Sequence, residues 1–456
     1  MGTTAADVRR RLIARWSGPA LGAAAAIAVA MASCAPPPKP APTPEPEPAP
    51  AAPPPAAPTP VPVPSPAPAE REAPAEPLVR VGLVTGAVSA TIASQSGLSL
   101  SDPSGARLAE IPAGQAWRLA VRGSGVVAMA PGGATTAPSE MFEIVSPDPD
   151  ALVEVNGRPY RGVFAAVRDS VGLTLVDRLP MEAYLAGVVS AEMGRRSPED
   201  QQALEAQAVV SRTFALRHLG RRDRQGFDLY ATVADQVYGG AAAETPEGRE
   251  AVDATRGQVL TWDGAPIDAF FYSTCGGHTA SGTEVFRAAD RPYLRSVSDL
   301  ADDGIAYCSI SPRYRWHEEW SGDALRTVLR RTLPEVAGVP GRDVADVRDV
   351  RVARRTPSGR VGELSIGLPR EEVRVDGANV RRVLRPVSGE ILRSAAFTLT
   401  VSGAGRRVTR LAADGQGAGH GVGFCQWGAV GRSRAGQEYP RILAAYFPGT
   451  QLERLY

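Results

Sequence analysis

The sequence predicts an α+β fold that follows a proline-rich N-terminal stretch. Residues 78–176 consist of short apolar runs separated by Gly, Asp-Pro and Asn-Gly turns, a pattern typical of strands. From residue 177 the apolar positions first recur with helical spacing, and short strand-like runs then alternate with further helices. We therefore predict a β-rich part over 78–176 and a mixed helix and sheet region over 177–456.

Length and charge limit the class of protein. A chain of 456 residues is long enough for two or three domains, and 43% hydrophobic residues is ordinary for a globular protein. The 50 Lys and Arg residues are balanced by 49 Asp and Glu residues. Because nucleic-acid-binding proteins usually carry a basic stripe, we expect no nucleic-acid partner.

Residues 1–34 are typical of an export signal. An arginine-rich start precedes the apolar stretch Leu21–Ala32, which is too short to span a bilayer. Ala30–Ala32 fits a signal-peptidase site, whereas Met31–Cys34 resembles a lipobox in which Cys34 is lipidated. We favour lipidation, and so predict an exported envelope protein that is anchored to a membrane through Cys34.

Residues 35–77 explain why lipidation is favoured. They contain 20 prolines and almost no large apolar side chain, so they lack the surface needed for a core. Proline holds such a segment in extended polyproline II, with a reach on the order of 100 Å at ~3.1 Å per residue. The sequence therefore predicts a disordered tether that holds the folded part away from the membrane.

The predicted elements of the folded part follow in order. Asn156-Gly157 is a hairpin turn signal within the β-rich part. A helix is predicted with Pro180 at its first position and Gly194 as its stop, and a second begins at the cap residue Ser197 and ends near His218. Further helices are predicted at 324–333 and 440–446, and strands at 259–262, 267–272, 347–352, 363–366 and 396–401.

Glu192 is the first candidate for chemistry. Met181, Leu185, Val188 and Val189 form one apolar face of the first predicted helix, and Glu192 follows on the same face. Burial there would raise the pKa of its carboxyl group and suit it to general-acid catalysis. The alternative is a solvated glutamate at a fraying helix end. Asp228 and Asp235 are the next candidates for the catalytic acid after Glu192.

A glycine-rich segment, residues 417–428, supplies the second group of candidates. Glycines around His420 permit close approach of a ligand, and His420 could carry a proton, bind a substrate or hold a metal. The neighbouring Gln426 and Trp427 offer an amide and an indole, a common combination around a sugar ring. A structural histidine in a tight turn is the alternative. His218 and His317 are interpreted as surface histidines.

Cysteines form the third group. Cys275, His278, Cys308 and Cys425 could supply four ligands to zinc. An exported protein more often oxidises its cysteines, so a Cys275–Cys308 disulfide is favoured over zinc. We also expect His278 and His420 to lie in the cleft beside Glu192.

Several segments together resemble the stage II sporulation protein D family, which includes the LytB-type amidase enhancers. They occur in the expected order between about residue 162 and residue 456, and 78–161 matches more loosely. The matching segments are residues 179–193, 203–216, 235–239, 273–279, 419–429 and 446–450.

The resemblance implies a function and a set of site residues. Members of the family act as lytic transglycosylases on peptidoglycan glycan strands, with a preference for strands stripped of stem peptides. In this chain Glu192 would be the general acid and base, and no cofactor would be required. Substrate-binding roles would fall to Arg212, Gln236, Tyr238, His420, Gln426 and Trp427.

Three positions depart from the family pattern. The family usually has proline after Glu-Met, where this chain has Gly194-Arg-Arg196. Asp177 stands where asparagine is common, and Cys425 where serine is common. The leading hypothesis is therefore a membrane-tethered enzyme that cleaves glycan strands. The alternative is a non-catalytic module that binds peptidoglycan and recruits or stimulates a cell-wall amidase.

Overall fold

The computed structural model describes residues 74–286 and 290–456. The predicted signal, most of the predicted tether, and Cys34 lie outside these ranges. Within them, no helix combines the length and apolar character needed to cross a membrane. The end of the predicted tether belongs to the folded part, since Met181 N–H donates to Pro77 O (2.9 Å) and Glu182 N–H to Glu76 Oε1 (2.8 Å). The predicted boundary between tether and folded part, at residue 77, therefore lies too far towards the C-terminus.

The N-terminal part is built from strands, as predicted. Their bounds are Leu78–Ala87 (β1), Ser89–Ser94 (β2), Leu98–Ser101 (β3), Arg107–Ile111 (β4), Trp117–Arg122 (β5), Gly125–Met129 (β6), Met141–Val145 (β7), Val153–Val155 (β8), Arg158–Tyr160 (β9), Val163–Arg168 (β10) and Leu173–Pro180 (β11). Asn156 (φ 50°) and Gly157 (φ 77°) form the predicted turn between β8 and β9, where positive φ suits a two-residue hairpin.

Helices follow from residue 181 onwards and confirm a mixed fold. The described helices are Met181–Met193 (α1), Gln201–His218 (α2), Pro246–Ala254 (α3), Gly282–Val285 (α4), Gly322–Ala337 (α5), Gly377–Val383 (α6), Gln426–Arg434 (α7) and Tyr439–Tyr446 (α8). Pro180 ends β11 and precedes α1, so the helix begins at Met181, one position after the predicted start.

The remaining strands are short or lie in the C-terminal half. They are Leu229–Tyr230 (β12), Gln258–Trp262 (β13), Ala265–Pro266 (β14), Phe271–Tyr272 (β15), Arg315–Ser321 (β16), Asp349–Arg355 (β17), Val361–Gly367 (β18), Glu372–Asp376 (β19), Phe397–Ala404 (β20), Arg407–Gln416 (β21), Phe424–Cys425 (β22) and Gln451–Arg454 (β23). The strand predicted over 267–272 is thus shortened to β15, which pairs in parallel with β22.

The strands form two larger and several smaller sheets. A seven-stranded sheet has the order β12-β1-β11-β10-β7-β3-β4, and a five-stranded sheet has the order β6-β5-β2-β8-β9. Since β11 pairs with both β1 and β10, the predicted boundary at 176/177 falls inside a central strand. The β-rich part and the first helices therefore share one hydrophobic core.

A second core lies within residues 316–413. It is formed by apolar side chains of β16, α5, β17 to β19, α6, β20 and β21, and includes the buried Trp320 and Leu329. β16, β21 and β20 form one three-stranded sheet, and β17 to β19 form another. The predicted 177–456 region thus contributes to two hydrophobic cores.

Candidate active site

Glu192 lies next to the last residue of α1. Gly194 (φ 70°) follows the helix and ends it, as predicted. The helix is buried on nearly every side, because Tyr184 and Gly187 are buried as well as the predicted apolar face. The prediction that α1 buries only one apolar face was therefore too narrow. Glu192 itself is half-buried, at the point where α1 reaches the surface.

Two groups hold the Glu192 carboxylate. Val237 N–H donates to Oε1 (2.7 Å), and the Gln426 amide donates to Oε2 (3.5 Å). Burial raises the pKa of the carboxyl group above its ordinary value, and the two hydrogen bonds oppose that rise in part. A carboxyl group with a raised pKa is protonated over a wider pH range, as a general acid requires.

Gln236 and Tyr238 position the N–H of Val237. Tyr184 OH donates to Gln236 Oε1 (3.1 Å), and Tyr238 OH donates to Asp177 Oδ2 (3.1 Å). Both side chains are buried, at 0% and 4% exposure. They anchor the loop on either side of Val237 and leave its N–H directed at Glu192. We therefore correct the predicted substrate contact for these two residues to a positioning role.

Asp177 accounts for one departure from the family pattern. It is buried, and burial raises the pKa of its carboxyl group well above the ordinary value. The raised pKa favours the protonated form of Asp177, which carries one donor and one acceptor as an asparagine side chain does. Gly187 in α1 lets the Tyr238 ring approach, since a Cβ there would lie 2.7 Å from the ring.

Gln426 comes from the far end of the chain. It is the first residue of α7 and follows β22, which is paired to β15 in the core. Its amide nitrogen reaches both Glu192 Oε2 and Gln207 Oε1, at 3.5 Å each. The structure thus brings the predicted residues Glu192 and Gln426 together across 234 positions of sequence.

Trp427 and Arg196 form a surface close to this pair. Trp427 is half-buried, and the Arg196 guanidinium lies over its ring at 4.4 Å from the centroid. Among the described residues, no acceptor bonds to the buried Arg196 Nε. This cation–π contact stabilises the two side chains next to Gln426. The sequence marked Arg196 only as a departure from the family proline and did not predict this contact.

Arg212 does not line the site. It is fully buried, and its Nε and Nη2 donate to Glu182 Oε1 (2.9 Å) and Oε2 (2.6 Å). It also donates to the backbone carbonyls of Val252 and Gln258. All this donor capacity is used inside the protein, so the predicted substrate contact is wrong for this conformation. Arg212 ties α2 to the start of α1.

His420 is also separate from the contacts of Glu192. Its Nδ1 accepts the Val422 N–H (3.1 Å), so Nε2 carries the proton and donates to Phe271 O (2.8 Å). Burial lowers its pKa to about 4. It lines a cavity of about 220 Å³ with Arg360 and Arg381. Both ring nitrogens of His420 are thus held by backbone groups, and its predicted substrate contact stays a prediction.

The other acids and histidines have structural surroundings. Asp228 pairs with Arg80, and Asp235 pairs with Arg222 (2.9 Å), so neither is available to replace Glu192. His218 is buried and stacked on Phe214, which corrects its interpretation as a surface residue. His317 is exposed beside Asp414, as predicted.

The three cysteines lie together, but not with His278. Cys275 Sγ lies 3.4 Å from Cys308 Sγ, and Cys275 N–H donates to Cys425 Sγ (3.1 Å). The predicted proximity of Cys275 and Cys308 is confirmed, although all three are free thiols in this structure. Hydrogen bonds from Cys275 and Cys425, helped by nearby backbone N–H groups, lower the pKa of Cys308 to about 3. His278 is exposed and outside the cluster.

Comparisons with known proteins fit this arrangement. A family model described as "Stage II sporulation protein" matches residues 169–262, which include Glu192 and Val237. A stage II sporulation protein D of Bacillus amyloliquefaciens is 30% identical over 294 residues, covering 61% of this chain and 75% of that protein. The chain belongs to the stage II sporulation protein D family. Family membership supports a role related to the cell wall.

Other relatives extend the comparison. The stage II sporulation protein D of Bacillus subtilis is 29% identical over 293 residues, covering 61% of this chain and 75% of that protein. The amidase enhancer of the same organism is 26% identical over 294 residues, covering 59% of this chain and 40% of the enhancer. A second family model, a domain of unknown function, matches residues 306–423, which contain the second core.

Proposed function

We propose that this member of the family is a lytic transglycosylase that cleaves peptidoglycan glycan strands, with Glu192 as general acid and then base. The placement of Glu192 carries the proposal. A half-buried carboxyl group with a raised pKa is held by a backbone N–H and an amide, and the half-buried Trp427 ring follows Gln426 in the chain with the Arg196 guanidinium over it. The two groups that hydrogen-bond to it, Val237 N–H and the Gln426 amide, do not titrate.

A single acid suffices for this reaction. Glu192 donates its proton to the glycosidic oxygen as the bond from that oxygen to C1 of N-acetylmuramic acid breaks. The C6 hydroxyl of the same sugar then attacks C1, and the Glu192 carboxylate accepts the hydroxyl proton. The 1,6-anhydro product forms without water, and Glu192 regains its starting state. Hydrolytic glycosidases instead use two carboxyl groups, one of them to handle water or to form a covalent intermediate.

The reaction products test the proposal. Purified protein is incubated with glycan strands that lack stem peptides, and the fragments are weighed by mass spectrometry. We expect muramic acid ends that are one water lighter than hydrolysis would give. Ends with the full mass would make the protein a hydrolase. Intact strands would favour the second candidate below.

The second candidate is a non-catalytic enhancer of a cell-wall amidase. The 26% identity to a protein named amidase enhancer favours it. The same glycan preparation with its stem peptides retained, together with a cell-wall amidase, separates the two functions. Faster peptide release without glycan cleavage would support the enhancer role.

We expect Arg196 and Trp427 to contribute to glycan binding. Arg196→Ala should raise KM several-fold with little change in kcat, because it removes a half-buried guanidinium whose charge suits the carboxylate of stem-free muramic acid. Trp427→Ala should act in the same direction by removing the stacking face. The matched control is Arg195→Ala, at an exposed neighbour. If Arg195→Ala and Arg196→Ala have equal effects on KM, Arg196 contributes only positive charge and makes no specific contact with the glycan.

We also propose that the protein is exported and anchored to a membrane through a lipid on Cys34. The sequence around residues 31–34 and the proline-rich stretch that follows support this. Cys34→Ala should move the protein from the membrane fraction to the soluble envelope fraction, measured by immunoblotting after fractionation. A variant that still sediments with membranes would contradict the lipid anchor.

A further inference from the structure

A second convergence of polar groups lies apart from the Glu192 contacts. The thiols of Cys275, Cys308 and Cys425 and the carboxylate of Asp299 are all buried, and one ligand atom of each lies within 4.8 Å of all the others. Cys275 Sγ is 3.1 Å from Asp299 Oδ2 and 3.4 Å from Cys308 Sγ. These groups come from four separate segments of the chain.

The Asp299 carboxylate distinguishes a metal site from a Cys275–Cys308 disulfide. A Cys275–Cys308 disulfide would leave Cys425 unpaired and would remove the Cys275 proton that is donated to Asp299 Oδ2. Arg432 and Tyr446 hydrogen-bond to Oδ1, so the buried Oδ2 would lose that partner, which is costly. A cation resolves both problems, because it is bound by thiolate and carboxylate together.

We propose that Cys275, Asp299, Cys308 and Cys425 bind one zinc ion or a similar thiophilic divalent cation. Three sulfurs and one oxygen suit the tetrahedral coordination that zinc prefers. Asp299 takes the place that the sequence had suggested for His278. The proposal does not depend on the glycan-cleaving activity.

The surroundings of the four groups resemble those of a built metal site. Asp299 Oδ1 accepts from Arg432 Nε (3.1 Å) and Tyr446 OH (2.7 Å), which leaves Oδ2 directed at the sulfurs. Outer partners of this kind orient metal ligands. The negative charge of three thiolates and a carboxylate exceeds that of a divalent cation, and Arg432 lies where it offsets the excess.

Backbone N–H groups also approach the sulfurs. Cys425 Sγ accepts from Cys275 N–H (3.1 Å) and Gly428 N–H (3.3 Å), and Cys275 Sγ accepts from Gly277 N–H (3.3 Å). Such bonds fix the positions of the sulfur atoms. Gly428 has a second role, since a Cβ there would lie 2.3 Å from Asp299 Oδ2.

The cation would fix the segment that completes the candidate active site. Cys425 directly precedes Gln426 and Trp427, and is joined through the cluster to the segments that carry Asp299 and Cys308. A cavity of about 750 Å³ is lined by Cys275 and His278 and offers a route for a metal ion. The proposed metal site is therefore structural: it holds in place the segment that carries Gln426.

Metal content and a spectrum of the unmodified chain decide the proposal. The full chain is purified in reducing buffer without chelator, and zinc is measured by plasma mass spectrometry. We expect about one zinc per chain. After zinc removal, Co²⁺ should give the thiolate charge-transfer and ligand-field bands of a tetrahedral site. A chain that binds neither ion and is two hydrogens lighter, with Cys275 joined to Cys308, would overturn the proposal.

Variants assign the ligands. Cys425→Ser and Asp299→Ala should each weaken Co²⁺ binding by at least about 100-fold, more than the loss of an outer partner causes. The matched control is Asp302→Ala, an exposed acid three residues from Asp299, which should bind Co²⁺ as the unmodified chain does. Unchanged Co²⁺ binding in Cys425→Ser and Asp299→Ala, or loss in Asp302→Ala, would place the metal elsewhere. If a variant does not fold, the cobalt spectrum of the unmodified chain still decides.

Discussion

Glu192→Gln should reduce the rate of glycan cleavage by about 10²–10⁴-fold or more, because the amide cannot donate or accept the catalytic proton. The substitution preserves the shape of the side chain, and the Val237 N–H can still donate to the amide oxygen. Folding should therefore be maintained. The rate is measured from the anhydro ends released, and folding from the thermal melt.

Glu199→Gln is the matched control for this experiment. Glu199 is an exposed acid on the turn after α1, where it pairs with Arg434, and its loss should leave cleavage unchanged. The pH profile adds a second measurement. Since burial raises the pKa of Glu192, the protonated acid persists above the ordinary range, and kcat/KM should fall as pH rises through that raised pKa. Normal cleavage by a well-folded Glu192→Gln variant would remove Glu192 from the mechanism.

Arg212→Ala should lower the free energy of unfolding by about 3–5 kcal/mol, because it leaves the buried Glu182 carboxylate without its cationic partner. Both side chains are nearly inaccessible, at 0% for Arg212 and 6% for Glu182, so solvent does not screen the loss. Urea unfolding followed by circular dichroism measures the change.

A double variant separates structure from substrate binding. Arg212→Met combined with Glu182→Leu replaces the ion pair with apolar side chains of similar size, and should recover most of the lost stability. If Arg212→Ala unfolds at the same urea concentration as the unmodified protein but no longer binds glycan, Arg212 contacts substrate after all.

The sequence predicted the elements around the site well because they follow from local chemistry. The turn at Asn156-Gly157 and the helix stop at Gly194 depend on backbone conformations that only a few residue types favour. Glu192 and Gln426 were also identified from local sequence, because each belongs to a segment with a recognisable pattern of residues.

The roles of the neighbouring residues could not be predicted in this way. Arg212, Gln236 and Tyr238 look like ligand-binding residues in sequence, but their partners, such as Glu182 and Asp177, are supplied by other elements. Asp299 carries no motif and enters the cysteine cluster only through the tertiary fold. A pattern shows which residues are unusual, whereas the three-dimensional contacts show whether each is already satisfied inside the protein.

The contacts of α1 have a consequence for when the protein can act during its synthesis. Gln426 reaches Glu192 across 234 residues, and Tyr456 OH donates to Glu182 on the same helix across 274 residues. A nascent chain therefore carries Glu192 long before it carries Gln426. In the proposed enzyme, the complete site would form only after synthesis has passed these C-terminal residues.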